Sequence, residues 1–230
     1  MSRTPRSVRA ELLSRLAEKI VAHRGDKPLK VAIDGRCGAG KTTFADELGR
    51  ELKARGFPIL RPSVDGFHHP SERRYRQGAL SAKGYYEDAF DNEKIIEYLL
   101  VPLSGREFPA PCRLASFDYR AERTDDSSPL LVERGAILLF DGLFLFRREL
   151  DAFWDFRILL FVDSEVSLAR ALPRDEANGV GTIEEMKRRY AQRYEPAWQI
   201  YEREENPSLK ADAIIDNCDI DVPRLLKLPA

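Results

Sequence analysis

Eight consecutive residues, 35–42, carry the clearest chemical signal in this chain of 230 residues. Their order, GRCGAGKT, satisfies the pattern G-x-x-x-x-G-K-[ST] at each fixed position. Glycines in such a loop let backbone N–H groups turn inward around a phosphate, and the following helix adds its N-terminal dipole. Lys41 supplies a positive charge for the terminal phosphates, and Thr42 supplies a hydroxyl for Mg²⁺. The predicted nucleotide-binding residues are Gly35, Arg36, Cys37, Gly38, Ala39, Gly40, Lys41, Thr42 and Thr43.

Two aspartates at the ends of predicted strands are further candidates for chemistry. Asp141 closes the apolar run 136–140, which is a usual place for a carboxylate that holds Mg²⁺, directly or through water. A structural cap on the next turn is the alternative. Asp65 follows the second predicted strand and could orient an attacking hydroxyl and accept its proton. Its alternative is an ordinary turn aspartate before Gly66. We predict Thr42 and Asp141 as metal ligands and Asp65 and Lys41 as catalytic residues.

Phosphoryl transfer also needs positive charge over the transferred group. Arg174 stands near the end of a predicted helix, before the glycine-containing break at 178–181, and is the third predicted catalytic residue. An arginine-bearing segment there would close over the site and exclude water, so residues 170–193 are predicted as a lid region. For Arg188 and Arg189 a solvated helix face is the alternative.

Strands alternate with helices along the chain, which predicts an α/β fold with a doubly wound, mostly parallel sheet. Continuous apolar runs are typical of strands that are buried on both faces, as in parallel sheets. Residues 1–230 are predicted as a single domain with an N-terminal helix within 1–25 and a hairpin excursion at 105–134. The predicted strands are 29–34, 58–62, 136–142, 157–163 and 213–216. The predicted helices are 7–22, 43–52, 92–103, 164–172 and 182–204.

The composition excludes several classes of protein. The chain is 43% hydrophobic, enough for a full core, and its 33% charged residues nearly cancel to a net charge of −1. A nucleic-acid partner is therefore not expected, because proteins that bind nucleic acids usually carry a clear basic excess. No apolar run approaches the roughly 20 residues of a membrane span, so no membrane partner is expected. Residues 1–6 lack the apolar core of a signal peptide. The oligomeric state stays open.

The three cysteines of the chain are scattered and odd in number, without metal-ligand spacing. They indicate a reducing compartment, and we expect a cytoplasmic protein with no disulfide framework. Cys37 lies inside the glycine loop and is interpreted as a small residue filling a loop position. A redox role is the alternative.

The order of several motifs resembles the uridine kinase and phosphoribulokinase group of P-loop kinases. The resemblance covers about residues 29–217 and is much more specific than the glycine loop alone. It implies a three-layer P-loop NTPase fold, with ATP and Mg²⁺ as cofactors and a small-molecule acceptor. The segments that carry it are the loop at 35–42, DGFH at 65–68, DAFDNE at 88–93, FDY at 117–119, FDG at 140–142, FVD at 161–163, RD at 174–175 and KADAII at 210–215.

By this resemblance, Asp65 matches the family's catalytic base, Asp141 its magnesium-side acid and Arg174 a lid arginine. The positions at which this chain differs from the uridine kinase pattern concern the acceptor site. Where uridine kinases have Asp-His-Pro, this chain has Tyr-Tyr-Glu at 85–87, and Glu122 stands where a base-binding histidine would be. Two further lid arginines of those enzymes fall on glycines, Gly179 and Gly181.

We therefore expect a kinase that moves the γ-phosphoryl group of ATP to a hydroxyl of a small metabolite. A nucleoside is the leading acceptor, and another alcohol such as pantothenate, nicotinamide riboside or a sugar phosphate is the alternative. Basic residues at 73, 74 and 76 leave room for an anionic acceptor. The predicted acceptor-binding residues are His68, Tyr85, Tyr119, Glu122 and Arg123, with Tyr75, Arg76, Tyr86 and Arg120 as further candidates.

Two other classes of protein remain. An ATP-dependent switch without a small acceptor would share the glycine loop, although the chain has no Asn-Lys-x-Asp stretch for reading guanine. A kinase fold kept only as a scaffold would tolerate loss of Lys41, Thr42, Asp65 or Asp141, and all four are present.

Overall fold

The computed structural model describes residues 5–229, with side chains from residue 8 onward. The expectation about a signal peptide falls mainly on residues 1–4, which lie outside the described residues. The described α-helices are α1 (Pro5–Ala22), α2 (Lys41–Ala54), α3 (Ser71–Arg74), α4 (Ala82–Asp88), α5 (Asn92–Ile95), α6 (Val101–Ser104), α7 (Arg148–Asp151), α8 (Ser164–Ala177), α9 (Ile183–Arg189), α10 (Glu195–Glu205) and α11 (Pro207–Lys210).

The strands form one large sheet and two small ones. The large sheet has the order β10-β9-β8-β1-β7-β2, and its neighbours are parallel except for the antiparallel pair β9 and β10. This arrangement confirms the predicted doubly wound, mostly parallel sheet. The strands are β1 (Leu29–Asp34), β2 (Ile59–Leu60), β3 (Ala110–Cys112), β4 (Phe117–Asp118), β5 (Arg123–Thr124), β6 (Leu130–Val132), β7 (Ile137–Gly142), β8 (Phe156–Phe161), β9 (Ala213–Asp216) and β10 (Arg224–Lys227).

Strand β1 lies at the centre of the sheet, between β7 and β8. All six residues of β1 and of β7 are buried, as their continuous apolar sequences predict. Alternate side chains pack into two separate cores. Ala32 and Phe140 belong to the core on one face, and Val31 and Leu139 belong to the core on the other. Helices cover both faces, so the molecule has three layers.

The segment 105–134 forms the predicted hairpin excursion. Strand β3 pairs antiparallel with β6, and the shorter pair β4 and β5 lies between them along the chain. Isolated β-bridges involve the segment that follows β2. In this segment Phe67 pairs with Phe117 of the excursion, and His68 pairs with Phe90. The excursion therefore packs beside the segment that follows β2.

Two predicted helices continue through π-turns. Residues Ile96–Leu100 join α5 to α6, and Tyr190–Tyr194 join α9 to α10. The start of α9 has the predicted capping box, in which Thr182 and Glu185 each accept from the other's backbone N–H. The helical period of the sequence predicted the extent of both segments but not the wider turns within them.

The prediction that the helix after β8 ends near residue 172 is wrong, because α8 continues to Ala177 with Pro173 inside it. Proline removes one backbone donor but keeps a helical φ, so a helix can continue past it. The end of α8 is closed by Asn178, whose N–H donates to the carbonyls of Arg174 and Glu176. Arg174 therefore lies within a helix. Asp163 occupies the N-cap position, but its side chain makes no capping hydrogen bond.

The sequence patterns did not indicate the edge strand β10, which is short and mostly exposed. Over residues 5–229, none of the helices combines the length and the apolar character needed to cross a membrane.

Candidate active site

The glycine loop runs from the end of β1 to the start of α2. Gly38 and Gly40 have φ of 78° and 85°, a region in which side chains are strained. A Cβ on Gly38 would lie 2.5 Å from the carbonyl oxygen of Ser167 in α8. Glycine at this position thus allows α8 to pack directly against the loop. The first backbone N–H groups of an α-helix have no partners within the helix, and such a helix end suits a phosphate group.

Lys41 is the first residue of α2 and is 9% exposed. Its Nζ donates to the carbonyl oxygens of Gly35 at 2.8 Å and Arg36 at 2.9 Å, which holds the ammonium group over the loop. Burial lowers the pKa of the Lys41 amine, although the nearby carboxylates, Asp34 and Asp141 among them, oppose this shift. The amine thus stays beside the loop, where the sequence predicts a bound phosphate.

Thr42 and Asp141 lie side by side although they are far apart in the sequence. Thr42 Oγ1 donates to Asp141 Oδ2 at 2.8 Å, and Arg61 Nη1 donates to Asp141 Oδ1 at 3.1 Å. Asp141 is 2% exposed, and its backbone carbonyl accepts from Ser63 Oγ at 3.2 Å. Hydroxyl and carboxylate oxygens are the ligands that Mg²⁺ prefers, so this pair fits the predicted metal.

No group of three or more His, Cys, Asp or Glu side chains in the described part of the chain is arranged to hold a metal ion. Mg²⁺ in nucleotide enzymes is usually bound by one or two protein ligands together with substrate phosphates and water.

Asp34, directly before the glycine loop, is fully buried. Its carboxylate accepts from Tyr201 Oη at 2.5 Å, from the Gly35 N–H at 2.7 Å and from the Leu145 N–H at 3.0 Å. Burial raises the pKa of Asp34 to about 6, and these hydrogen bonds limit the rise. The network ties the loop to α10 and to the segment after β7. Tyr201 carried no recognisable signal in the sequence.

Asp65 lies in the 3₁₀ turn that follows β2, and its side chain is 61% exposed within the cleft. The imidazole of His68 lies beside it, with Nε2 3.7 Å from Asp65 Oδ1. Partial burial favours the neutral acid, but the contact with His68 and the charges of Lys41 and Arg174 outweigh it and lower the pKa of Asp65. The group is therefore an ionised carboxylate near neutral pH.

His68 is held in place by its surroundings. Its Nδ1 lies 3.0 Å from the carbonyl oxygen of Ala89, and a carbonyl can only accept, so Nδ1 carries a proton. The imidazole also packs against Phe90 and Tyr119, each with a ring-centroid distance of 4.6 Å. These contacts direct Nε2 toward Asp65.

Arg174 reaches the glycine loop from α8. Its Nε donates to Asp175 Oδ1 at 2.8 Å, and its Nη2 lies 3.8 Å from Cys37 Sγ. The Tyr190 hydroxyl is also 3.0 Å from Cys37 Sγ. The segment predicted as a lid thus touches the loop at a residue predicted to bind nucleotide.

These residues surround one cleft of about 740 Å³. Most of the predicted site residues line it, and they come from both sides of the sheet edge where the parallel strands end. The predicted site residues that line the cleft are Cys37, Gly38, Lys41, Thr42, Asp65, His68, Tyr85, Tyr119, Asp141 and Arg174.

Two predicted acceptor residues do not line this cleft. Glu122 accepts from the Ser71 N–H at 2.9 Å and forms an ion pair with Arg74, so its carboxylate faces α3. Arg123 lines a separate depression beside Asp118. The roles of Glu122 and Arg123 in acceptor binding stay predictions.

Within the loop, Arg36 also points away from the cleft. Its guanidinium contacts both carboxylate oxygens of Glu195 at 3.0 Å and lies over the ring of Trp198 at 5.6 Å. Only the backbone of Arg36 is thus available at the loop. Its side chain instead attaches the loop to α10.

A glycine loop between the central strand and α2, within a doubly wound sheet, defines a P-loop fold. A family model described as "Phosphoribulokinase / Uridine kinase family" matches residues 31–220, and the chain belongs to this family. Its members include kinases that act on small molecules, as the names of the curated relatives indicate.

Three similar proteins illustrate the relationship. A uridine kinase from Halalkalibacterium halodurans is 24% identical over 75% of this chain and 79% of its own length. Uridine-cytidine kinase B from Dictyostelium discoideum is 25% identical over 76% of this chain and 69% of its own length. A solved structure described as a "possible uridine kinase" from Bacillus stearothermophilus superposes with a TM-score of 0.69 at 22% identity, covering 89% of this chain and 97% of that one.

Proposed function

We propose that this chain is a single-domain, ATP- and Mg²⁺-dependent kinase that transfers the γ-phosphoryl group to a hydroxyl of a small metabolite. The observation that carries the proposal is the placement of Lys41, Thr42, Asp141 and Asp65 around one cleft. The names of the curated relatives make a nucleoside the first acceptor to test.

ATP would supply the phosphoryl group, and Mg²⁺ would neutralise phosphate charge. In this proposal the backbone of the glycine loop and Lys41 hold the phosphate chain, while Thr42 and Asp141 hold the metal. Arg61 keeps the Asp141 carboxylate in place through the 3.1 Å contact. These groups act by position and charge, which is how P-loop enzymes promote phosphoryl transfer.

Asp65 would orient the acceptor hydroxyl and take its proton. Its lowered pKa keeps it ionised, and His68 stands beside it to fix its direction. Arg174 would place positive charge over the transferred group from α8. Its Nη2 lies 3.8 Å from Cys37 Sγ, so the guanidinium stands beside the glycine loop.

The first experiment measures ATP consumption with Mg²⁺ against a panel of acceptors and a blank without acceptor. The panel contains uridine, cytidine, other nucleosides, pantothenate, nicotinamide riboside and sugar phosphates. A kinase should show turnover that depends on one acceptor class. Equal ATP hydrolysis with and without every acceptor would contradict the proposal and favour an ATP-dependent switch.

Replacement of Asp65 tests the catalytic assignment. We expect Asp65→Asn to lower turnover on the order of a hundredfold, within the usual range for acid–base catalysis, while nucleotide binding is retained. Asp126→Asn is the control, because Asp126 is exposed and lies outside the cleft. Unchanged turnover in Asp65→Asn would remove this carboxylate from the mechanism.

A further inference from the structure

Arg61 contacts Asp141 from outside the cleft. The residue directly follows strand β2, and it is not one of the described residues that line the cleft. Its side chain is 19% exposed, whereas Asp141 is almost fully buried. The ion pair between the two side chains is therefore largely shielded from water. No pattern in the sequence indicated it.

The side chain of Arg61 fills a gap in the pairing of two strands. Strand β2 ends at Leu60, and its pairing with β7 returns as the isolated bridge between Ser63 and Asp141. Within this gap, Arg61 Nη1 donates to the carbonyl oxygen of the buried residue Leu139 at 2.9 Å. Because a buried carbonyl without a partner is costly, this hydrogen bond favours one position of the guanidinium.

Two carboxylates share the guanidinium of Arg61. Its Nε and Nη2 donate to Asp46 Oδ1 at 3.0 and 2.9 Å, and its Nη1 donates to Asp141 Oδ1 at 3.1 Å. Asp46 lies on α2, about one helical turn after Thr42. These contacts hold the guanidinium between α2 and the end of β7, and their number limits its movement.

The two carboxylate oxygens of Asp141 have different partners. Oδ2 accepts from Thr42 Oγ1 at 2.8 Å, and Thr42 lines the cleft. Oδ1 accepts from Arg61, which lies outside the cleft lining. The carboxylate therefore presents Oδ2 on the side of the predicted metal, while Oδ1 is held toward the guanidinium.

The backbone around Asp141 is closely packed. Its carbonyl oxygen accepts from Ser63 Oγ at 3.2 Å. A Cβ on the next residue, Gly142, would lie 2.6 Å from the Cβ of Val64. Because the chain has little room to shift here, both oxygens of Asp141 could reach one ion only if the side chain rotated. The contact with Arg61 opposes that rotation.

Two common divalent cations make different demands on a carboxylate. Ca²⁺ is the larger ion, takes about six to eight oxygen ligands in flexible geometry, and can bind both oxygens of one carboxylate. Mg²⁺ requires a compact octahedron and usually keeps several water molecules. A rigid carboxylate that offers one oxygen therefore suits Mg²⁺ and deprives Ca²⁺ of a ligand.

We propose that Arg61 makes the metal site selective for Mg²⁺ over Ca²⁺, because it holds Oδ1 of Asp141 and leaves one carboxylate oxygen for the ion. The inference rests on the proposed kinase function and concerns the cation that accompanies the nucleotide. Arg61 is a positioning residue, since it acts on the ion through Asp141.

A purely structural ion pair would have a different effect. Its loss would weaken the binding of the Mg²⁺ and Ca²⁺ complexes of a nucleotide by the same factor, because the site as a whole would be disturbed. Loss of a selectivity residue changes the ratio of the two affinities. The ratio is therefore the quantity to measure.

Isothermal titration calorimetry on the full chain can measure this ratio without knowledge of the acceptor. AMP-PNP is titrated in excess Mg²⁺ and, separately, in excess Ca²⁺, so that the nucleotide is fully complexed with one metal. We expect the wild type to bind the Mg²⁺ complex about tenfold more tightly than the Ca²⁺ complex. In Arg61→Gln and Arg61→Met this preference should fall to about twofold or less.

Two further variants show which property of Arg61 matters. Arg61→Lys keeps a positive charge that can donate to Asp141 Oδ1, so it should restore most of the preference for Mg²⁺. Arg50→Gln is the matched control, because Arg50 is exposed on α2 and does not line the cleft. It removes the same charge and should keep the wild-type ratio.

Thermal unfolding without nucleotide shows whether each variant is folded. Arg61→Gln carries the test if Arg61→Met folds poorly, because its amide can still donate to the buried Leu139 carbonyl. An unchanged ratio in Arg61→Gln overturns the inference, as does an equal fall of the ratio in Arg50→Gln.

The wild-type protein separates this inference from the proposed function. Equal affinity for the Mg²⁺ and Ca²⁺ complexes of AMP-PNP would overturn the inference and leave the kinase proposal intact. Absence of binding with either metal would contradict the kinase proposal, and the inference would fail with it.

Discussion

At the level of single residues, Asp34 links the glycine loop to the structure around it through hydrogen bonds. Its buried carboxylate receives one hydroxyl and two backbone N–H groups, which bind α10 and the segment after β7 to the first residue of the loop. Burial nevertheless dominates and raises the pKa of Asp34 to about 6. Stability must therefore depend on pH through this group.

The direction of this pH dependence follows from the protonation of Asp34 in the folded and the unfolded protein. Between about pH 4 and pH 6 the folded protein keeps a proton on Asp34 that the unfolded chain has lost, so the free energy of unfolding falls as pH rises across this range. A shift of about two pH units corresponds to about 3 kcal/mol. Urea unfolding of the wild type and Asp34→Asn from pH 4 to pH 7 should show the difference between them changing by about this amount. Parallel profiles would contradict it.

At the level of elements, the packing of α8 on the glycine loop depends on Gly38. In Gly38→Ala a Cβ would lie 2.5 Å from the Ser167 carbonyl, at a φ of 78°. Either the loop or α8 must move, and we expect AMP-PNP affinity to fall at least tenfold, which is about 1.4 kcal/mol. Isothermal titration calorimetry would measure the AMP-PNP affinity of the variant and of the wild type.

Gly56→Ala is the control for this prediction. Gly56 has a similar φ of 89°, but a Cβ there would meet nothing within 4 Å. The two variants share the backbone strain, of order 1–3 kcal/mol, and only Gly38→Ala adds the collision. If both variants bind AMP-PNP equally well, close packing of α8 is not what shapes the loop.

The π-turn between α9 and α10 also contributes residues to the cleft and to the packing on the glycine loop. It contributes Tyr190, Arg193 and Tyr194, of which Arg193 and Tyr194 line the cleft and Tyr190 contacts Cys37. Single π-turns within helices occur frequently at functional sites. Residues of this one helical segment therefore contact the loop and line the cleft.

At the level of the whole molecule, nucleotide binding should stabilise the fold. Ligand at a hundred times its dissociation constant adds about 2.7 kcal/mol, or roughly 5–10 °C in Tm for a chain of this size. We expect AMP-PNP with Mg²⁺ to raise Tm by that amount in the wild type and much less in Lys41→Ala, because the proposed function assigns Lys41 to the phosphates.

Lys53→Ala is the matched control for this prediction, since Lys53 is exposed on the same helix, α2. Differential scanning calorimetry with and without nucleotide compares the three proteins. A full shift in Lys41→Ala would show that the phosphate assignment of this lysine is mistaken.

The sequence alone was enough to predict the features that are encoded locally. The glycine loop needs particular residues at fixed spacing, and buried parallel strands need continuous apolar runs, so the loop, β1, β7 and the position of Asp141 at a strand end were predictable. The fold class followed from the alternation of strands and helices. Element ends were less predictable, as Pro173 inside α8 illustrates, because propensity only weakly determines where a helix stops.

Only the tertiary structure decided which side chains meet. Arg61 contacts Asp141 across 80 positions of sequence, and Tyr201 contacts Asp34 across 167. Arg193 receives its carbonyl partners from a segment more than 100 positions earlier. Such contacts depend on sheet order and on how helices pack, which arise from many weak interactions summed over the whole chain. Local spacing therefore determined the glycine loop, and packing determined which other side chains line the cleft beside it.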